Sequence, residues 1–225
     1  MPIAHNLGFP PLGPNRELKR ATEGYWSSKV SRTDLLRTGA ALRAAHWGLQ
    51  RDAGLDLIPS NDFSYYDRVL DTSAMVAAVP ARYGWSGGPV DLDTYFAMAR
   101  GVQAGGRDVT AMEMTKWFDT NYHYLVPEFD RGQAFRLAST KPVDEFQEAK
   151  ALGFHTKPVL IGPVTFLLLG KTRAAAFDRL ELLDALLPVY GEVLARLAAA
   201  GATWVQLDEP SIAVDRTPQI GRAHV

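Results

Sequence analysis

The chain has 225 residues, 47% of them hydrophobic and 22% charged, no cysteine, and a formal net charge of -1 at pH 7. That much apolar material can bury a sizeable core, and a charge so close to zero sets up no global field that would draw the protein to nucleic acid or to a membrane surface. Without cysteine there are no disulfides or thiolate metal sites within this chain, which suits a cytoplasmic protein.

No signal-peptide pattern opens the sequence, and the longest apolar run, Val164 to Leu169 with Thr165 inside it, is far too short to span a bilayer. Ile3 to Pro10 reads as a short strand running into a turn. Asn15 is the expected N-cap of a helix over Arg16 to Ser27, with Leu18, Ala21, Thr22 and Tyr25 on one face and Arg16, Lys19 and Arg20 on another. Cations at a helix N-terminus oppose the macrodipole, and a bound anion would offset that. A solvated face neutralised by Glu17 and Glu23 is the plainer explanation.

A second helix is expected from Ser31, with Asp34 in capping-box position, a buried stripe of Leu35, Leu42 and Leu49, and a stop at Gly54. Leu55 to Pro59 reads as a strand that leaves through the polar and aromatic segment Ser60 to Asp67. A helix over Val69 to Val79, a loop over Gly84 to Pro89, a helix over Asp93 to Arg100 and a flexible connection over Gly101 to Asp108 follow. Val109 to Met112 reads as a strand. Directly after it comes Glu113-Met-Thr-Lys-Trp-Phe-Asp-Thr-Asn-Tyr-His-Tyr-Leu-Val-Pro127, too polar for a core and too aromatic for a plain loop. Such a mixture suits either a segment that closes over a ligand or rings that cap a barrel end.

Further on, Ala134 to Ala138 reads as a strand, Pro142 to Gly153 as a helix, Lys157 to Ile161 as a strand buried on both faces, and Gly162 to Phe166 as a turn. Asp178 to Ala200 is a helix that Pro188 should kink or split, and Thr203 to Leu207 a strand delivering Asp208 and Glu209. Strands alternating with helices predict an α/β protein with a parallel sheet. About five such units favour a truncated (β/α)8 TIM-type barrel with insertions, since the complete form needs about 250 residues. A doubly wound open sheet competes, without the glycine fingerprint of its dinucleotide-binding form. Either way, functional groups should gather at the C-terminal strand ends.

His5-Asn-Leu-Gly-Phe-Pro10, Arg16-Glu-Leu-Lys19, Leu57-Ile-Pro-Ser-Asn-Asp-Phe63, the block Glu113 to Tyr124, Lys157-Pro-Val-Leu-Ile-Gly-Pro-Val-Thr-Phe166 and Val205-Gln-Leu-Asp-Glu-Pro210 together resemble the amino-terminal half of cobalamin-independent methionine synthase. The resemblance implies a two-barrel methyltransferase of methionine biosynthesis, which passes a methyl group from 5-methyltetrahydropteroyltriglutamate to homocysteine. In that family zinc sits in the carboxy-terminal barrel, so its ligands are not in this chain and none is expected to bind here. The amino-terminal barrel contributes cations to the folate tail. Carried over, the tail-binding positions are Arg16, Glu17, Leu18, Lys19 and Lys116, with no catalytic residue and no metal ligand. Pro11 stands where the family usually has arginine. The partners implied are the polyglutamyl folate and, through the other barrel, homocysteine, with no nucleic acid, no membrane and a monomeric full-length protein.

Residues 1–219 are then expected to form an incomplete amino-terminal barrel domain. Residues 220–225 fit no continuation of the family and match the translation of a sequencing-adapter read-through, so an artefactual tail is expected there. The alternative is a stand-alone barrel enzyme related to uroporphyrinogen decarboxylase, using Glu113, Asp119, His123 or Asp208 as acid or base. By itself the fragment is expected to be inactive.

Overall fold

The computed structural model describes residues 2–104, 107–174 and 176–214; the expected tail at 220–225 lies outside them. The helices are α1 (Glu17–Trp26), α2 (Arg32–Asp52), α3 (Arg68–Met75), α4 (Leu92–Arg100), α5 (Lys141–Ala151), α6 (Pro163–Leu169) and α7 (Leu183–Ala200). The strands are β1 (Ile58–Ser60), β2 (Val102–Ala104), β3 (Arg107–Val109), β4 (Met114–Lys116), β5 (His123–Leu125), β6 (Glu128–Phe129), β7 (Thr156–Ile161), β8 (Lys171–Thr172) and β9 (Gln206–Asp208). One sheet has the order β1-β7-β9, with β1 and β7 parallel, and β6 pairs with β8 in parallel. β2 pairs antiparallel with β3, and β4 with β5 forms an antiparallel hairpin. The chain is therefore α/β with a parallel component, as expected, but carries antiparallel pairs that the alternating pattern did not announce.

By contact density the chain divides into two units. The first comprises Met1–Tyr65, Lys141–Val159 and Leu197–Gln206, and the second Tyr66–Thr140, Leu160–Arg196 and Leu207 onward. In the first unit Leu18, Leu42 and Phe63 form one apolar cluster, and Trp47, Ile58 and Ala149 another. The Trp47 indole also donates to the Pro59 carbonyl at 3.1 Å, which fixes α2 against β1. Lys157 in β7 is buried, its ammonium held by the Gln206 amide oxygen and by His5 Nδ1 at 3.1 Å. In the second unit Phe129 and Phe166 meet edge to face at 5.5 Å, and the Tyr190 hydroxyl donates to the Ile161 carbonyl at 2.6 Å.

Ser31 caps α2 by accepting from Asp34 N at 3.1 Å, and Gly54, Gly153 and Gly201 all stand at positive φ where the helices stop. All six residues of β7 are buried, the pattern expected of a strand covered on both faces. Other expectations are corrected. Arg16, not Asn15, is the N-cap of α1, because Glu17 turns back to accept from Asn15 N and Nδ2 at 3.0 Å and so uses the amide as a donor. Leu49 is exposed rather than part of the α2 stripe. The N-terminal strand shrinks to a single His5 to Leu57 bridge. Within 101–109, expected as a connection and then a strand, Val102–Ala104 pairs antiparallel with Arg107–Val109, and Thr110 to Met112 are not strand. Ala134 to Ala138 form no strand, although Arg136 and Ala138 donate to the Val76 and Met75 carbonyls at 3.3 and 2.8 Å. Gly162 to Phe166 is not a plain turn: Gly162 is the N-cap and Pro163 the first residue of α6. Pro188 lies inside α7 without splitting it, since burial of Leu186, Val189, Tyr190 and Val193 holds that face in place against the lost N–H. Among the described residues no helix is long and apolar enough to cross a membrane.

Candidate functional site

In the first unit, α1 opens with the candidate tail-binding residues in a row. Arg16 is exposed in the left-handed region, at φ 61° and ψ 36°, a conformation that costs a non-glycine residue about 1–2 kcal/mol. Residues held there gather at sites where the surroundings over-determine the backbone. Glu17 is half-buried, and donation from its own backbone N–H, the largest contributor, and from Asn15 keeps its carboxyl below the usual carboxylate range. It therefore acts as an internal brace for the turn. Leu18 is 5% exposed and packs with Leu42 and Phe63, so any ligand contact would come from its backbone. The Lys19 ammonium lies 3.3 Å from Glu23 with both side chains about half exposed, a weak surface pair that a stronger anion could displace. Neither Arg16 nor Arg20 has a hydrogen-bond partner for its guanidinium among the described residues, which leaves two exposed cations beside the positive end of α1.

Lys116 belongs to the second unit. It ends β4 on an exposed position opposite His123, at the mouth of the turn Trp117 to Tyr122, and has no hydrogen bond or ion pair among the described residues. The aromatic run expected to close over a ligand is thus an antiparallel hairpin. Trp117 packs edge to face against Phe118, Tyr122 and Tyr124 at 5.3, 6.5 and 5.9 Å, so one ring organises the other three.

The hairpin rests on a residue that sequence reasoning passed over as part of a polar loop. Asp67, 1% exposed, caps α3 by accepting from Val69 N at 3.2 Å and Leu70 N at 2.9 Å. The same carboxylate accepts from Leu125 N on β5 at 3.0 Å and from the Tyr122 hydroxyl at 3.1 Å. Burial pushes its pKa up to about 6, against the backbone donors of Leu125, Val69 and Leu70. The N-cap signal, an aspartate directly before an apolar helix, was legible; the long-range half of its bonding was not.

The acids and histidine of the alternative reading are engaged separately. Glu113 pairs with Lys171 at 2.7 Å, Asp208 with Arg68 at 2.9 Å, and His123 Nδ1 lies 3.0 Å from the Asn121 carbonyl, while Asp119 is exposed in the turn. Glu209 is bound within the fold: its two oxygens accept from Val164 N and Thr165 N at 3.0 and 2.7 Å, capping α6. Gly162 donates to the Asp208 carbonyl at 2.8 Å, and a Cβ there would fall 2.1 Å from the Glu209 carboxylate. The isoleucine-glycine-proline and aspartate-glutamate-proline segments are therefore two halves of one interlock. Among the described residues no group of three or more His, Asp or Glu side chains could hold a metal ion, so the residues present do not fit zinc.

The family model described as "Cobalamin-independent synthase, N-terminal domain" matches residues 3–224. The chain belongs to that family. A 5-methyltetrahydropteroyltriglutamate--homocysteine methyltransferase of Salinibacter ruber is 60% identical over 220 residues, covering 96% of this chain and 29% of its own length. A protein of the same name from Caulobacter vibrioides is 61% identical over 226 residues, covering 94% and 29%. The chain thus spans 29% of the length of these cobalamin-independent synthase relatives. Among solved structures, a B12-independent methionine synthase from Shewanella sp. W3-18-1 in complex with selenomethionine aligns with a TM-score of 0.57 at 17% identity, over 83% of this chain and 46% of that one. A putative vitamin-B12 independent methionine synthase from Listeria monocytogenes aligns with a TM-score of 0.58 at 12% identity, over 97% and 58%. At those identities the likeness speaks for the fold alone.

Proposed function

We propose that this domain supplies cationic anchors for the glutamate tail of 5-methyltetrahydropteroyltriglutamate in a protein that methylates homocysteine to methionine. The observation that carries this reading is the start of α1, where Arg16 is held exposed in the left-handed region beside Lys19 and Arg20 at a positive helix terminus. A tail of several carboxylates needs spaced cations, and each charge-assisted bond is worth about 1.5–3 kcal/mol at best. Arg16, Lys19 and Lys116 would bind carboxylates, the Leu18 backbone would line the site, and Glu17 would hold the turn. The names of the relatives supply the ligand; the exposed cations supply the reason for it. With this go a (β/α)8 barrel of which residues 1–219 form about the first five βα units, a foreign tail at 220–225, a monomeric full-length protein and a cytoplasmic location. Zinc, if the full-length protein uses it, would be held by residues outside this chain.

In the protein that continues this chain to the length of its relatives, Lys19→Ala and Lys116→Ala should each raise the KM for the polyglutamyl donor about tenfold with kcat nearly kept. The penalty should shrink as salt is added, since exposed charges are screened over about 10 Å at 0.1 M. Lost turnover at unchanged folate affinity, without salt dependence, would overturn the reading.

A further inference from the structure

Among the described residues the donors around the Asp67 carboxylate all belong to the second unit, and the four come from two elements. Two are the α3 backbone amides that any N-cap would satisfy, and two belong to the hairpin that carries Lys116: Leu125 N and the Tyr122 hydroxyl. A simple cap would need only the first pair. The Tyr95 hydroxyl closes the opposite side, bonding Asp71 Oδ1 at 2.7 Å and lying 3.4 Å from both Asp67 N and Asp67 O. The titratable groups facing Asp67 are Tyr122, Tyr95 and Asp71, with Tyr66 and Tyr124 also within its electrostatic reach.

The turn that Asp67 grips is short. Trp117 N donates to the Tyr122 carbonyl at 2.7 Å, closing a loop in which Phe118 takes φ 48°. Lys116 directly precedes that loop, so the placement of its ammonium depends on where the loop is fixed. Tyr122 is 48% exposed, yet its hydroxyl reaches inward to a carboxylate that is almost wholly buried. That geometry makes the ring a strut between the turn and the N-terminus of α3.

We propose that the Asp67 carboxylate, acting through Tyr122 and Leu125, is the positioning group that sets the Trp117–Tyr122 turn and with it the anion-binding Lys116. This rests on the tail-site reading of Lys116 given above. Asp67 touches no substrate; it fixes a long, flexible lysine at its root, which lowers the ordering cost of each binding event.

Tyr122→Phe is the sharper test, because it removes one hydroxyl from a half-exposed ring and leaves the Asp67 cap of α3 intact. Asp67→Asn tests the same contact from the other side and risks unfolding. In the protein that carries this chain at the length of its relatives, Tyr122→Phe should speed amide hydrogen exchange across residues 117–122, with a melting transition close to wild type. It should also raise the KM for a triglutamyl donor about threefold to tenfold at nearly constant kcat, an effect that weakens for a monoglutamyl donor. Combined with Lys116→Ala it should add nothing further, since a positioning group has no work left once the positioned charge is gone. A full Tyr122→Phe penalty persisting in the Lys116→Ala background, or unchanged exchange and KM while Lys116→Ala alone raises the KM, overturns the positioning role and leaves the tail site standing. If Lys116→Ala leaves the KM untouched, the tail-site reading falls, and the positioning of Lys116 for folate falls with it.

Discussion

At the residue scale, a buried acid gives the clearest pH dependence. Asp67 has its pKa raised by burial to about 6 from 3.8, so the folded state binds the proton more tightly than the unfolded chain. Its contribution to stability is therefore complete at low pH and declines as pH rises through about 6, by at most about 3 kcal/mol. Urea melts from about pH 4.5 to about pH 7.5 should show wild type losing stability relative to Asp67→Asn as pH rises, on top of a constant penalty of about 1–3 kcal/mol for donors that face the amide nitrogen. Leu18 calls for a different expectation, although it is one of the candidate site residues. Its side chain sits in the core with Leu42 and Phe63, so Leu18→Ala should cost about 2–5 kcal/mol of stability in a thermal melt. Gly162→Ala should also destabilise, by about 1–3 kcal/mol, because the new methyl group meets the Glu209 carboxylate that caps α6.

At the scale of elements, local signals account well for helix ends. Ser31 with Asp34, and Asp91 accepting from Thr94 N at 2.7 Å, cap α2 and α4 through side chains a few residues apart. Ser31→Ala should cost about 1 kcal/mol, readable as a lower midpoint in denaturant. Strands fared worse. Val109 to Met112 and Ala134 to Ala138 read as strands, whereas the fold pairs β2 with β3 and β4 with β5. A strand needs a partner, and polar runs such as Met114 to Lys116 become strands only because His123 to Leu125 lie opposite them.

At the scale of the whole molecule, the sheet order β1-β7-β9 leaves β9 at an edge among the described residues, where Leu207 is 46% exposed, and Ile212 and Val214 just beyond it are also exposed. Open edges with apolar side chains favour association between copies. The 225-residue chain by itself should therefore self-associate in light scattering, and Leu207→Lys should reduce this without lowering the melting temperature much.

Local pattern alone yields the α/β class, the Ser31 cap of α2, the fully buried strand β7 and the row of cations opening α1, because caps, helical periodicity and continuous apolar runs are local properties of the chain. Its motifs also pointed to the family, which the match over residues 3–224 bears out. The tertiary structure decided what those motifs do. It turned Gly162 and Glu209 into an interlock, made Asp67 both a helix cap and the root of a hairpin, and sent the Leu18 side chain into the core. Each of these rests on partners 40 or more residues away for Glu209 and Asp67, or on packing between helix and loop for Leu18, and no local pattern encodes which distant donor a buried carboxylate will find.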